Sequence, residues 1–143
     1  MRVSRQADYA TRTIYYLSQL DPQQRASTKS IAIAQKIPLS FLTKIISRLS
    51  VAGLIHTTRG SQGGVSLTRL PSKISLLEVV EAIDGTIMLN ECVTDPNDCE
   101  YSEDFPLRPV WCDIQIVLVS QMQNATFDKF GPGEPGATFS SVS

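Results

Sequence analysis

The chain has 143 residues, 42% of them hydrophobic and 19% charged, with a formal net charge of −1 at pH 7. This is enough chain for one domain with a real core and an appended helical element. No apolar run is long enough to span a bilayer, and the N-terminus lacks the apolar stretch of a signal peptide. The composition therefore argues against a membrane or secreted protein, and we expect a cytoplasmic one.

The charges are divided unevenly between the two halves of the chain. Residues 1–70 carry ten Lys/Arg against two acidic residues, a net charge of +8, whereas residues 71–143 carry three against twelve, a net charge of −9. Such asymmetry is typical of a segment that binds a polyanion joined to a segment with another role. The three cysteines all lie in the acidic half, and their odd number argues against a disulfide framework. Metal binding, redox chemistry and plain burial remain open for them.

Two helices are predicted before residue 38. The first extends from Ser4 to about Leu20 and ends at Asp21-Pro22. The second is short, begins with Ser27 or Thr28 as its N-cap and ends before Pro38. The residues predicted to face the core are Ala7, Ala10, Ile14 and Leu17 in the first helix and Ile31, Ala34 and Ile37 in the second.

A third helix follows Pro38, with Ser40 as a candidate N-cap and Gly53 as its stop. Its apolar residues recur at i, i+3, i+4 and i+7, which places them on one face. These are Leu42, Ile45, Ile46 and Leu49, whereas Ser40, Thr43, Lys44, Ser47 and Arg48 lie off that stripe. A short helix followed by one with hydroxyls and cations outside is the helix-turn-helix pattern; the alternative is a plain antiparallel helix pair. We interpret the third helix as a DNA recognition helix.

A β-hairpin is predicted after the third helix. Residues 54–59 and 65–68 are rich in strand formers, and residues 60–64 between them contain three glycines. In this position the hairpin is the wing of a winged helix, whose tip enters a minor groove or follows a phosphate backbone. The single histidine, His56, lies on the first wing strand and is interpreted as a packed or solvent-facing ring rather than a ligand.

These elements predict which side chains meet DNA. Ser40, Thr43 and Lys44 are expected at base edges, with Lys44 favouring guanine. Arg48 and Arg59 are expected at phosphates or in the minor groove, and Arg2 and Arg5 at the backbone. The alternative for each is a solvated surface residue. The complete predicted set is Arg2, Arg5, Ser40, Thr43, Lys44, Arg48, Arg59, Gly60, Gln62 and Gly63.

The acidic half predicts two further helices separated by a loop. Ser75 and Glu78 form a capping box at the start of a helix that stops at Gly85, and residues 90–105 are an acidic loop. From Pro106 a long helix carries an apolar stripe wider than a small monomer covers, which predicts a homodimer that reads a palindromic site. The stripe comprises Val110, Trp111, Ile114, Val117, Leu118 and Met122. The Pro/Gly/Ser-rich tail from Gly131 is predicted to be disordered.

Taken together, these stretches resemble the Rrf2 family of bacterial winged-helix transcription regulators over residues 1 to about 130. The resemblance rests on Tyr9-Ala10, residues 38–42, 46–49 and 52–55, Arg59-Gly60, Gly63-Gly64 and residues 77–85. It implies a mainly α fold with a small β-hairpin wing, a homodimer, an operator-binding role and, in many relatives, a sensory iron–sulfur cluster.

The resemblance also implies a set of cluster ligands. Cys92 and Cys99 match the first two cysteines of cluster-binding relatives, whereas Phe105 stands at the expected third place and Cys112 follows seven residues later. Thiolates suit iron–sulfur clusters and zinc. A [2Fe-2S] or [4Fe-4S] cluster on Cys92, Cys99 and Cys112 is therefore expected, and Cys112 as a buried residue beside Trp111 is the alternative.

A cluster on three cysteines needs a fourth ligand. The candidates are Asp8, Asp95, Asp98, Glu100 and an exogenous molecule. Asp8 is notable as one of only two acids in the basic half. Its alternative role is an ion pair with Arg5 or Arg12, about one helical turn away.

We therefore predict a transcription regulator, most simply a repressor, that binds double-stranded DNA as a homodimer and senses redox, nitric oxide or iron–sulfur status. Alternatives are a cluster-free regulator controlled by a small molecule, thiol oxidation or a partner protein, and a small redox protein. Catalysis is disfavoured, because no Ser/His/Asp or Cys/His constellation is present. The predicted units are a winged helix-turn-helix domain (1–85), a cysteine-containing sensor loop (86–105), a dimerisation helix (106–130) and the tail (131–143).

Overall fold

The computed structural model describes residues 2–22, 24–61, 63–89 and 106–131. Its helices and strands in chain order are α1 (Arg5–Ser18), α2 (Thr28–Gln35), α3 (Leu39–Val51), β1 (Ile55–Thr58), β2 (Gly64–Leu67), α4 (Leu76–Asp84) and α5 (Arg108–Asn124). Short 3-10 helices at Pro71–Lys73 and Phe127–Phe130 precede α4 and follow α5. The predicted class, mainly α with a hairpin wing, is confirmed. The predicted acidic loop and most of the predicted tail lie outside the described residues.

Helix α1 lies at the centre of the core and packs on both α3 and α4. The apolar residues predicted from its periodicity are all buried, and Thr13 is buried with them. The Thr13 hydroxyl donates to the Tyr9 carbonyl oxygen at 2.8 Å, so this polar group is satisfied. Ser4 is the N-cap and its hydroxyl accepts from the Ala7 amide at 3.0 Å. The helix ends at Ser18, two residues before the predicted end at Leu20.

Helix α2 is capped by Ser27, whose hydroxyl accepts from the Ser30 amide. Ile31 and Ile37 are buried as predicted, but the prediction for Ala34 is wrong, because Ala34 is exposed. Lys36 has left-handed backbone geometry, with a φ of 54°, and ends the helix. The chain turns at Lys36, and Ile37 rather than Ala34 therefore fills the core beneath α2.

The two strands form an antiparallel hairpin with Ile55 opposite Leu67 and Thr58 opposite Gly64. A bridge from Ala26 joins the second strand, with both the Ala26 and Val65 amides donating to the other's carbonyl oxygen at 3.0 and 2.7 Å. The base of the wing is thereby attached to the segment between α1 and α2.

Helix α4 begins at the predicted N-cap Ser75, whose hydroxyl accepts from the Glu78 amide at 3.2 Å. The prediction of a reciprocal capping box is only half right. The Glu78 carboxylate accepts from Arg69 Nη2 at 2.6 Å, because a guanidinium is a stronger partner than the Ser75 amide. The helix ends where predicted, at Gly85 with a φ of 82°.

The C-terminal end of α5 belongs to the same core as α1 and α4. Met122 and Phe127 are buried there. The Leu76 amide donates to the Ala125 carbonyl oxygen at 2.8 Å, and the Phe127 amide donates to Ile74 at 3.1 Å. No helix within the described residues is both long enough and apolar enough to cross a membrane.

Candidate nucleic-acid interface

Helix α3 separates an apolar buried face from a polar exposed face. It begins after Pro38, whose extended backbone lets its carbonyl oxygen accept from the Phe41 and Leu42 amides. The prediction of Ser40 as N-cap is wrong, because Pro38 occupies that position and Ser40 lies in the first turn. The buried residues are Leu42, Ile45, Ile46 and Leu49, and the exposed polar residues are Ser40, Thr43, Lys44, Ser47 and Arg48.

The Thr43 hydroxyl is engaged within its own helix. Thr43 Oγ1 donates to the Leu39 carbonyl oxygen at 2.9 Å, one turn earlier. The hydroxyl proton is therefore used, and the exposed part of Thr43 offers a methyl group and a hydrogen-bond acceptor. Leu39 itself is about half exposed, so the beginning of α3 presents apolar as well as polar atoms.

The Arg48 guanidinium has two acceptors on neighbouring helices. Its Nη2 donates to the Ile83 carbonyl oxygen at 2.5 Å and its Nη1 to Gln6 Oε1 at 3.3 Å. These bonds join the C-terminal half of α3 to the end of α4 and the beginning of α1.

The tip of the wing contains Arg59, Gly60 and Gly63, while Gln62 lies outside the described residues. The Gly63 amide donates to the Gly60 carbonyl oxygen at 3.0 Å and closes the turn. A Cβ atom on Gly63 would lie 2.0 Å from the Thr58 carbonyl oxygen, so only glycine fits this turn. Arg59 and Gly60 are exposed at the tip, and His56 is exposed on the first strand.

The beginning of α1 contacts α3. Arg2 and Arg5 are both exposed, Arg2 before α1 and Arg5 as its first residue. Gln6, the next residue, contacts Arg48. Arg5 is therefore the sequence neighbour of a residue that contacts the C-terminal half of α3.

The predicted metal ligands are only partly within the described residues. Cys92 and Cys99 lie outside them. Cys112 is a free, partly buried thiol in the first half of α5. Asp8 forms an ion pair with Arg12, Oδ2 to Nη2 at 3.0 Å, which is the alternative that the sequence had allowed. Among the described residues, no three His, Cys, Asp or Glu side chains gather closely enough to hold a metal ion.

Helix α5 presents most of its predicted apolar stripe to solvent. Val110, Trp111, Ile114 and Val117 are exposed, and Val117 is 61% exposed. Leu118 packs partly against the core and Met122 is buried in it, so the final turns of the stripe are covered by the chain itself. The uncovered part of the stripe is therefore shorter than the sequence indicated.

Sequence reasoning missed Gln115, which lies one turn after Cys112. Its Nε2 donates to the Ile87 carbonyl oxygen at 2.6 Å, and its Oε1 accepts from the Leu89 amide at 3.0 Å. The Gln115 side-chain amide thus bonds the backbone of the segment that leaves α4 to α5. A glutamine in the polar part of an amphipathic helix carries no signal of such a contact, because the partner is backbone 28 residues away.

The short helix α2, the exposed polar face of α3 and the hairpin attached beside it define a winged helix-turn-helix protein of the DNA-binding class. A family model named Rrf2 and described as "Iron-dependent Transcriptional regulator" matches residues 3–131. The chain belongs to the Rrf2 family and is a transcriptional regulator, not an enzyme.

The chain is also similar to individual relatives and to a solved structure. The HTH-type transcriptional regulator NsrR of Geobacillus kaustophilus is 33% identical over 100 residues, which cover 69% of this chain and 68% of the relative. Protein aau3 of Rhizobium meliloti is 36% identical over 140 residues, covering 97% and 90% of the two chains. The structure of CymR, the global cysteine regulator of B. subtilis, superposes with a TM-score of 0.76 at 23% identity, covering 91% of this chain and 95% of that one. At that identity the likeness confirms the fold.

Proposed function

We propose that this regulator binds a palindromic operator in double-stranded DNA as a homodimer and acts as a repressor. The observation that carries the proposal is the exposed polar face of α3, which has an apolar buried face behind it and the wing beside it. A helix of this kind fits the major groove, where base edges offer donors and acceptors.

We assign the DNA contacts to three places: the first turns of α3, the wing tip and the beginning of α1. Ser40, Thr43 and Lys44 would meet base edges from the first turns of α3. Arg59 at the wing tip would meet phosphate or the minor groove, with Gly60 and Gly63 allowing close approach and Gln62 as a further DNA contact. Arg2 and Arg5 would meet the backbone beside α1. The net charge of +8 in residues 1–70 favours a polyanionic partner.

A homodimer is proposed from the uncovered part of the α5 stripe. Val110, Ile114 and Val117 are about half exposed or more on a helix whose other end is built into the core. Apolar atoms in such a row are stabilised when a second copy covers them. A two-fold pair would present two copies of α3, and a palindromic site would match that symmetry.

The experiment for the DNA-binding proposal is a selection from a random duplex library with the full chain. We expect enrichment of a palindrome whose half-sites are about one helical turn or a multiple of it apart. Affinity for the enriched duplex should fall steeply with salt, because cation contacts release counterions from the phosphates. Recovery of no shared sequence would reject the proposal.

We further propose that the regulator holds an iron–sulfur cluster, [2Fe-2S] or [4Fe-4S], on Cys92, Cys99 and Cys112. Three cysteines suit such a group chemically, and Cys112 is a free, partly buried thiol on α5. The family description as iron-dependent supports the proposal. The fourth ligand would come from Asp95, Asp98, Glu100 or an exogenous molecule; Asp8, the other candidate from the sequence, is already paired with Arg12. When bound, the cluster would supply a centre sensitive to oxidation, nitric oxide or iron supply.

Gln115 would transmit a change at the cysteines to the rest of the protein. It joins Ile87 and Leu89, which lead towards Cys92, to the helix that carries Cys112. A rearrangement at the cysteines would therefore act on α4 and α5 together and shift the population of DNA-competent dimers.

Iron and acid-labile sulfide analysis of anaerobically purified protein tests the cluster proposal. We expect bound iron and sulfide, visible absorption, and loss of both in Cys92→Ala/Cys99→Ala and in Cys112→Ser. Colourless protein after anaerobic reconstitution would reject the cluster.

One observation favours a second candidate, a cluster-free regulator controlled by a small molecule, thiol oxidation or a partner protein. Phe105 stands where the third cysteine of cluster-binding relatives is expected, and Cys112 lies on a helix instead. This candidate is supported if the protein carries no iron and Cys92→Ala/Cys99→Ala leaves the operator response unchanged or removes only its sensitivity to oxidants.

A further inference from the structure

Three helix ends meet on one side of the core: the beginning of α1 and the ends of α3 and α4. The Ser4 amide donates to Asp84 Oδ2 at 3.0 Å, and the Ser4 hydroxyl donates to Asp84 Oδ1 at 2.5 Å. The Asp84 carboxylate thus lies at the N-terminal end of α1, where the helix dipole favours an anion. We name this place the three-helix junction; its residues are Ser4, Gln6, Arg48, Ile83 and Asp84.

Arg48 is the member of the three-helix junction that comes from α3. It bonds the Ile83 carbonyl oxygen at 2.5 Å and Gln6 Oε1 at 3.3 Å. Ile83 is in the last turn of α4, where carbonyl groups lack partners within the helix and a cation is favoured. A guanidinium suits two acceptors on two helices because its donors form a rigid planar fork.

We propose that Arg48 is a positioning residue for DNA recognition and not a DNA contact. Its bonds fix the rotation of α3 relative to α1 and α4, and hence the direction in which Ser40, Thr43 and Lys44 face. This inference rests on the proposed function that α3 reads DNA. It replaces the sequence prediction that Arg48 meets phosphate or the minor groove.

The salt dependence of binding distinguishes positioning from contact. Arg48→Ala and the control Lys44→Ala, on the same helix, would be titrated against the selected duplex and an unrelated duplex over a range of KCl concentrations. We expect Arg48→Ala to weaken specific binding about tenfold, the ratio that corresponds to one charge-assisted hydrogen bond. Its salt slope and its non-specific affinity should equal those of the wild type. Lys44→Ala, which removes a proposed base contact, should weaken specific binding and keep the salt slope, whereas Arg59→Ala, which removes a proposed phosphate contact, should lower the slope by about 0.9.

Two outcomes overturn the proposal. A salt slope reduced by about 0.9 in Arg48→Ala would make Arg48 a phosphate contact. Unchanged specific affinity in Arg48→Ala would leave it without a role in recognition. A melting curve for each variant confirms that the titrations use folded protein.

Two less disruptive variants, and amide hydrogen exchange measured without DNA, test the positioning role of Arg48 further. Arg48→Lys keeps one donor and should recover only part of the affinity, and Gln6→Ala should weaken binding less than Arg48→Ala does. Amide exchange in Arg48→Ala should be faster at Gly85 and in the last turn of α3, with α2 unchanged. If the wild type selects no duplex, the proposed function fails, and unchanged exchange at these amides would then reject the positioning role as well.

Discussion

The Asp8 carboxylate accepts from the Arg12 guanidinium across one turn of α1, with Oδ2 and Nη2 3.0 Å apart. Both side chains are about half exposed, so this ion pair contributes at most about 0.5 kcal/mol to the free energy of unfolding. It also engages one of the carboxylates that the sequence offers as a fourth cluster ligand.

We predict that Asp8→Asn leaves the iron and sulfide content of anaerobically reconstituted protein unchanged, because Arg12 already neutralises this carboxylate. Arg12→Gln is the matched control, since it removes the same ion pair and leaves the carboxylate available. Loss of iron in Asp8→Asn with full iron in Arg12→Gln would make Asp8 a ligand.

If the exposed apolar stripe of α5 is the dimer interface, a charge placed in it should separate the dimer into monomers. Val117→Asp places a charge in the apolar row, and burying that charge against a second copy is costly. We expect Val117→Asp to sediment as a monomer at micromolar concentrations at which the wild type is a dimer. Val51→Asp is the control, because Val51 is 87% exposed on α3 and lies outside α5. If Val117→Asp remains a dimer, the dimer interface does not lie on the apolar stripe of α5.

We expect the side-chain amide of Gln115 to contribute to the free energy of unfolding. It supplies one donor and one acceptor to the Ile87 and Leu89 backbone, and a hydrogen bond contributes about 0.5–1.5 kcal/mol. Gln115→Ala should therefore lower the free energy of unfolding by about 1–3 kcal/mol. Gln121→Ala, an exposed glutamine on the same helix, should change it by less than about 0.5 kcal/mol. Equal effects in urea titrations of the two variants would show that the Gln115 contacts contribute nothing.

Arg59 at the wing tip should act on DNA of any sequence. We predict that Arg59→Ala weakens binding to the selected and unrelated duplexes by the same factor and lowers the salt slope by about 0.9. Arg69→Ala is the control, because the Arg69 guanidinium is held by Glu78 and by the Lys73 carbonyl oxygen. A loss confined to the selected duplex would assign Arg59 to base recognition instead.

Local signals in the sequence were enough to predict most elements of the fold. The apolar spacing predicted the buried faces of α1 and α3, and the glycine cluster after residue 59 predicted the hairpin. Ser75 and Gly85 marked the two ends of α4. Each of these predictions depends on residues within a few positions of one another, where helix periodicity, caps and turn chemistry act.

The contacts that place these elements against one another were not predictable from local patterns. Arg48 bonds a carbonyl 35 residues away, and Ser4 bonds a carboxylate 80 residues away. In the sequence Arg48 is simply a cation off the apolar stripe, and no residue near it in the sequence indicates its bonds to α1 and α4. The Gln115 side chain bonds to backbone far away in the sequence, and Ala26 and Val65 pair through their backbones; neither contact leaves a periodic trace.

The claim that α3 reads base edges is tested most directly by repeating the duplex selection with Thr43→Ala beside the wild type. The Thr43 hydroxyl proton is held by Leu39, so Thr43 can offer DNA only its methyl group and an acceptor. We expect Thr43→Ala still to enrich a palindrome of the same half-site spacing, with relaxed or altered base preference at one position in each half-site. Identical preferences at every position in the two selections would contradict the assignment of Thr43 to base reading and the orientation of α3 on which it depends.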